Sequence, residues 1–280
     1  MGEISIGQGR PLAIIGGPCT LESPELALDV GRAFKDACAS LGLTYIFKAS
    51  FDKANRSSIA SPRGPGAERG LEALSQIRET LGVPVTTDVH LPEQCQPAAR
   101  VVDLLQIPAF LCRQTDLLLA AAQAANAHAR AVSVKKGQFL SPQEMLGPLR
   151  KLAEGGCDNT LLIERGTFFG YHRLVNDFIG LGDLMELDCS DFSALPPPPV
   201  CFDVTHSTQL PGSGQQTGGR PERAPLLASA ATAAGVHALF IESHPDPSRA
   251  FSDGATQVPL SQLASLLERV AAIHNATSQL

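Results

Sequence analysis

The chain lacks several features that would mark common functional classes. It has no cluster of lysine and arginine, and its formal charge is −6 over 280 residues. A nucleic-acid binder needs a basic face to displace counterions, so composition argues against that class. Scattered cations can still hold small anions. No apolar run approaches the ~18 residues of a membrane span, so no membrane association is expected. The opening segment, MGEISIGQGRPLAIIGG, has no basic stretch followed by a long apolar one, as a secretion signal would have. There is no Cys-x-x-Cys pair among the seven cysteines. An odd, scattered set points to free thiols in a reducing compartment, and a cytoplasmic location is expected. Cys38, Cys95, Cys112, Cys157, Cys189 and Cys201 read as small core hydrophobes. The GxGxxG turn of an open dinucleotide-binding sheet is also missing, since residues 16–20 are GGPCT.

What is present is a rhythm. Short apolar runs recur at 12–17, 44–49, 83–89, 104–108, 131–136, 160–165, 199–205 and 238–242. Helical patterns separate them. Ser23-Pro24 supplies an N-cap serine and a proline at the first helical position, followed by Leu26, Val30, Phe34, Ala37 and Leu41 at helical spacing. Ser141-Pro142-Gln143-Glu144 is a capping box ahead of Leu146, Leu149 and Leu152. Residues 67–81, 114–128, 222–234 and 259–274 carry similar patterns. Eight strands alternating with helices imply a parallel sheet, and the count points to a closed (β/α)₈ barrel, with an open doubly wound sheet as the alternative. Residues 1–11 are expected to form a small hairpin plugging the barrel bottom. No break in composition divides the chain, so 1–280 read as one domain. The run Pro196 to Pro199 leads straight into a strand and reads as a connector.

Three long loops rich in Gly, Ser and Pro follow strands: 51–66, 206–221 and 243–257. In a barrel, such loops build the active site at the C-terminal face. The strand ends there are polar at nearly every position: Cys19; Lys48 and Ser50; Asp88 and His90; Gln106; Lys135 and Lys136; Glu164 and Arg165; Asp203 and His206; Glu242. Lys48, Lys53, Arg56, Lys135 and Arg165 are too many cations for a neutral ligand and suit one or two phosphates. Either Lys135 or Lys136 faces inward, because a one-residue slip reverses the face.

Cys19, His206, Glu242 and Asp253 form a second set. Each lies at or beyond the end of an apolar run, and thiolate, imidazole and two carboxylates suit Zn²⁺, Fe²⁺ or Mn²⁺. A carboxylate at the end of a dry strand, as at Glu242, needs a cation or metal to offset its burial. The spacing matches no short metal motif, and Asp253 in SDGATQ reads equally as a turn residue.

Five segments carry a resemblance: FKASFDKANRSS (47–58), LLQIPAFLCRQTDLL (104–118), VKKGQF (134–139), DVTHSTQLPG (203–212) and IESHPDP (241–247). Together they resemble the 3-deoxy-D-manno-octulosonate 8-phosphate synthases, over about residues 11 to 262. The resemblance implies a (β/α)₈ barrel assembled as a homotetramer. It implies condensation of phosphoenolpyruvate with arabinose 5-phosphate, feeding lipopolysaccharide synthesis. KANRSS is similar to the segment by which this family holds a five-carbon sugar phosphate. Barrels that join phosphoenolpyruvate to other sugars differ there.

By matching position, Lys48, Ser50, Lys135 and Arg165 would hold the phosphate and carboxylate of phosphoenolpyruvate, with Arg113 joining them across a subunit interface. Lys53 and Asn55 would contact the pentose. Arg56 and Ser57 would bind its phosphate from a neighbouring subunit. Asp88 and Gln106 would line the reacting centre beside Lys48 and His206. The family has a metal-dependent branch and a metal-independent one, and the latter has Asn in place of Cys19. The cysteine, completed by His206, Glu242 and Asp253, implies the metal-dependent branch.

Overall fold

The computed structural model describes residues 4–55, 61–168, 172–212 and 217–278. All eight apolar runs form strands: β1 (Ala13–Gly17), β2 (Thr44–Lys48), β3 (Val85–Asp88), β4 (Leu104–Ile107), β5 (Ala131–Lys135), β6 (Thr160–Glu164), β7 (Val200–Asp203) and β8 (Ala238–His244). They pair in parallel in chain order, and β8 returns to β1 with Ala13 opposite Ala238 and Gly17 opposite Glu242. That closing ladder makes a (β/α)₈ barrel and removes the open-sheet alternative.

The helices are α1 (Pro24–Leu41), α2 (Ala67–Leu81), α3 (Pro92–Val101), α4 (Thr115–Ala127), α5 (Leu146–Glu154), α6 (Phe178–Met185), α7 (Ala224–Ala233) and α8 (Leu263–Thr277). Ser23 caps α1 as expected, its Oγ accepting the Leu26 N–H at 3.2 Å. At Ser141, the Glu144 carboxylate accepts the serine N–H at 2.8 Å, but the first turn is 3₁₀ and the α-helix begins only at Leu146. Residues 4–11 differ from expectation. The described part holds a turn, with Arg10 N–H donating to Gly7 O, and no strand pairing. Gly7 and Gly9 both take positive φ, which bends this short segment too sharply for a ladder. Ile6 still packs against the bottom of the barrel interior.

Alternation along the strands sorts the residues into two layers. Outward positions such as Ile14, Phe47, Leu105, Val134, Leu162, Phe202 and Ile241 pack under the helices. Inward positions Ala13, Ile15, Ile46, Leu104, Leu161, Ile163, Cys201, Ala238 and Phe240 fill the barrel. Two residues beyond Ile46, Leu104, Ile163, Cys201 and Phe240, on the same inner face, stand Lys48, Gln106, Arg165, Asp203 and Glu242. The apolar plug therefore gives way to a polar floor at the C-terminal mouth.

Candidate active site

The mouth opens into a cavity of about 960 Å³ lined by Lys48, Lys53, Asn55, Asp88, Gln106, Lys135, Arg165, His206 and Asp253, among others. Residues of all three long loops line it, including Asn55, Gln209 and Phe251. Arg56 and Ser57 lie outside the described residues. Arg113 is exposed and is not part of the wall of this cavity.

The choice between the two lysines of β5 is settled by parity. Lys135 points inward, its Nζ 2.7 Å from Asp203 Oδ2 and 3.9 Å from the centre of the Phe240 ring. Lys136 points outward, donates to Leu140 O at 2.9 Å and pairs with Glu164 at 3.3 Å. Glu164 thereby leaves the mouth to its neighbour Arg165, whose guanidinium donates to His206 O at 3.2 Å.

Lys48 is buried between two carboxylates, 2.7 Å from Glu242 Oε1 and 4.0 Å from Asp88 Oδ1. Ser50 gathers this corner: it accepts from Lys48 at 3.1 Å and Lys53 at 2.8 Å, and donates to Asp88 at 2.5 Å. His90 Nε2 reaches the other Asp88 oxygen at 3.1 Å. Burial alone would raise Asp88, but Lys48, His90 and Lys53 outweigh it and hold the carboxyl well below its usual range. Burial opposes Glu242 as well, yet Lys48, His206 and Lys53 pull it down to about 2. Both groups are anions at neutral pH.

The Cys19 backbone is brought to this corner by a close approach of β1 to β2. Gly17 has φ of 159°, and a Cβ there would collide with the Lys48 carbonyl. Beyond it, Ser50 N–H donates to Cys19 O at 3.2 Å and Leu21 N–H to Ser50 O at 3.0 Å. Cys19 Sγ then donates to Asp253 Oδ2 at 3.3 Å, linking residues 234 positions apart. Asp253 sits at φ of 51° and also opens a turn, with Thr256 N–H donating to its carbonyl. The turn reading of Asp253 therefore holds, and its carboxylate is placed beside Cys19.

The four proposed ligands thus meet, but as two pairs. Cys19 contacts Asp253, and His206 Nε2 lies 3.7 Å from Glu242 Oε2. Among the described residues, no three His, Cys, Asp or Glu side chains form a closed ligand set. One observation favours an ion here: Glu242 Oε2 is buried with no hydrogen-bond partner. An orphaned carboxylate oxygen beside an imidazole nitrogen and near a thiol matches the donor chemistry of a borderline divalent metal. Burial, followed by Glu242 and Asp253, raises the Cys19 thiol well above its ordinary range, with Lys53 and Lys48 opposing. The thiol is therefore protonated unless a cation replaces the proton.

Sequence reasoning noted Asp203 at a strand end but gave it no role. It is fully buried and joins Lys135 to His206. His90 was likewise noted at a strand end without a role, and missed altogether were Gln209 (which bridges Arg165 and Asp253) and the ring of exposed phenylalanines Phe110, Phe139, Phe168 and Phe251 lining the cavity. Polarity at a strand end was the available signal for Asp203 and His90; the aromatics gave none.

A (β/α)₈ barrel whose mouth gathers cations beside a Cys, His, Glu and Asp set has the architecture of a barrel enzyme with a lining suited to anionic substrates. The chain belongs to the DAHP synthetase I family, whose model matches residues 1–279. It is 50% identical over 275 residues to the 2-dehydro-3-deoxyphosphooctonate aldolase of Cyanothece sp., covering 98% of this chain and 96% of that protein. The enzyme of the same name from Desulfotalea psychrophila is 47% identical over 278 residues, covering 99% and 95% of the two chains. That from Nitrobacter winogradskyi is 50% identical over 273 residues, covering 97% and 91%.

Proposed function

We propose that the mouth of this barrel divides its residues between a cationic floor for phosphoenolpyruvate and a metal-holding wall beside it. The reaction is condensation of phosphoenolpyruvate with D-arabinose 5-phosphate and water, giving 3-deoxy-D-manno-octulosonate 8-phosphate and phosphate, in lipopolysaccharide biosynthesis. The chain is a 3-deoxy-8-phosphooctulonate synthase. The observation that carries the division of roles is that Lys48, Lys135 and Arg165 line the same cavity as His206 and Asp253, while Glu242 and Cys19 lie buried at its edge.

Lys48, Ser50, Lys135 and Arg165 hold the carboxylate and phosphate of phosphoenolpyruvate. Their present partners, Glu242, Asp88 and Asp203, keep the cations extended into the mouth before substrate arrives. Lys53 and Asn55 receive the pentose, and Arg56 and Ser57 its phosphate. Asp88 and Gln106 border the place where C3 of phosphoenolpyruvate attacks the aldehyde carbon. Water then adds at C2, and phosphate leaves by C–O cleavage. An ionised Asp88 accepts hydrogen bonds only, so it orients Ser50 and can accept one from a hydroxyl or water at the reacting centre. Cys19, His206, Glu242 and Asp253 would hold Zn²⁺, Fe²⁺ or Mn²⁺. When bound, the ion would supply Lewis acidity to the aldehyde or orient the attacking water.

We further place the chain in a homotetramer, with Arg113 serving a neighbouring subunit. The support is that Arg113 is exposed and does not line its own cavity, while Phe110 and Phe139 lie exposed at the rim. A cytoplasmic location is supported by seven free cysteines. No helix among the described residues is long and apolar enough to cross a membrane.

An acceptor panel tests the substrate assignment. With phosphoenolpyruvate held constant, arabinose 5-phosphate should turn over, whereas erythrose 4-phosphate and N-acetylmannosamine should not. Preference for either of the latter would overturn it.

A further inference from the structure

We propose that Asp203 is a positioning residue that fixes His206 with its proton on Nδ1, presenting Nε2 toward Glu242, while the same carboxylate holds Lys135 over Phe240. The geometry is specific. Asp203 Oδ2 lies 2.8 Å from His206 Nδ1 and 2.7 Å from Lys135 Nζ. Its Oδ1 accepts the His206 backbone N–H at 2.9 Å and lies 3.1 Å from Nδ1. The side chain has no exposed surface, so its partners are fixed by the protein and not shared with water.

A carboxylate paired with a lysine accepts hydrogen bonds and donates none. The hydrogen between it and His206 must therefore sit on Nδ1, which leaves Nε2 as the nitrogen turned toward the proposed ligands. Nε2 is the atom that faces the orphaned Glu242 Oε2, 3.7 Å away. A second clamp supports the same arrangement from β8: Glu242 N–H donates to Thr205 Oγ1 at 2.7 Å, tying the end of that strand to the segment carrying His206. The His206 ring packs against the Phe240 ring with centroids 5.8 Å apart, beneath the same aromatic that supports Lys135. One buried anion thus sets the direction of an imidazole on the metal side and of an ammonium on the phosphoenolpyruvate side. Carboxylates that orient ligating histidines in this way typically contribute 10–100-fold in metal affinity.

The inference rests on the metal reading for its consequence but not for its geometry, and two measurements separate them. In the first, the full chain is labelled with ¹⁵N at histidine and freed of metal, and the His206 signal is assigned by its loss in His206→Gln. Nδ1 should carry a proton in the wild type; an unprotonated Nδ1 overturns the proposal. In the second, Co²⁺ is titrated while the thiolate-to-metal absorption band is followed. Asp203→Asn should bind Co²⁺ roughly 10–100-fold more weakly than the wild type; equal affinity overturns the proposal. If the wild type takes up no Co²⁺, the metal reading fails and the proton position alone decides. The same measurement decides if Asp203→Asn does not fold.

Discussion

Lys48 Nζ stands 2.7 Å from Glu242 Oε1, and that ion pair joins the two halves of the site. The lysine belongs to the set proposed for phosphoenolpyruvate and the glutamate to the set proposed for metal. Glu242 has no exposed side-chain surface, so it cannot turn to water if Lys48 is lost. Lys48→Met should therefore destabilise the fold by about 3–5 kcal/mol, the usual cost of stranding a buried charge. Lys48→Met with Glu242→Leu should recover much of that loss, because the second change removes the stranded anion. Thermal melts of the two variants check this; equal melting temperatures would mean that the pair does not bear on stability.

Two arginines should separate the substrates. Arg165→Ala removes a guanidinium from the phosphoenolpyruvate floor and should raise the KM for that substrate by roughly 10–100-fold, the size of a lost charge-assisted contact. Arg56→Ala should instead raise the KM for arabinose 5-phosphate, with a much smaller change for phosphoenolpyruvate. Steady-state kinetics with each substrate varied in turn distinguishes the roles, and equal effects on both substrates would speak against them.

The barrel was legible because each strand is a short apolar run and each closes on its neighbour in chain order. Two helices were not. α3 buries only Cys95, Ala98 and Ala99 and contains Pro97, so it carries little apolar periodicity. α6 has eight residues with Gly180 and Gly182 among them, which weakens the helical signal. In the site, residue type and strand position marked Lys48, Asp88, Gln106 and Glu242 as candidates, and alternation from Ala131 through Ser133 identifies Lys135 once the strand is placed. The partner of Lys135 was not legible, because Asp203 lies 68 positions along the chain and meets it only when the barrel closes. The aromatic rim was hidden for a related reason: nothing local distinguishes an exposed Phe110 from the buried Phe34.

Acid should loosen the site in a defined window. Glu242 is held at about 2 against an ordinary 4.5, and Asp88, Asp203 and Asp253 are shifted the same way. A carboxyl with a depressed folded-state value contributes stability above its ordinary value and loses it as pH falls toward the depressed one. For Glu242 the loss runs from pH 4.5 down to about 2. Acid unfolding of the metal-free protein should steepen there, and Glu242→Gln should show a shallower dependence. Parallel curves would contradict the assignment.

Metal uptake should depend on pH through Cys19. Its thiol is pushed up by burial first and by Glu242 and Asp253 after that, so the metal-free protein carries the proton. Binding a divalent ion releases it. Apparent affinity should rise about tenfold per pH unit through neutrality, provided the other ligands do not titrate there. Cys19→Asn should bind more weakly and lose that slope. Competition titration with a metal indicator at several pH values provides the readout, and an unchanged slope in the variant would exclude the thiolate as ligand.

The most direct measurement is an assay of the intact chain with phosphoenolpyruvate and arabinose 5-phosphate, run before chelation, after it and after adding back Zn²⁺, Fe²⁺ or Mn²⁺. The site described here predicts one phosphate released per octulosonate 8-phosphate formed, loss of turnover on chelation, and recovery with at least one of the three ions. Full activity in protein shown to be free of metal would contradict it.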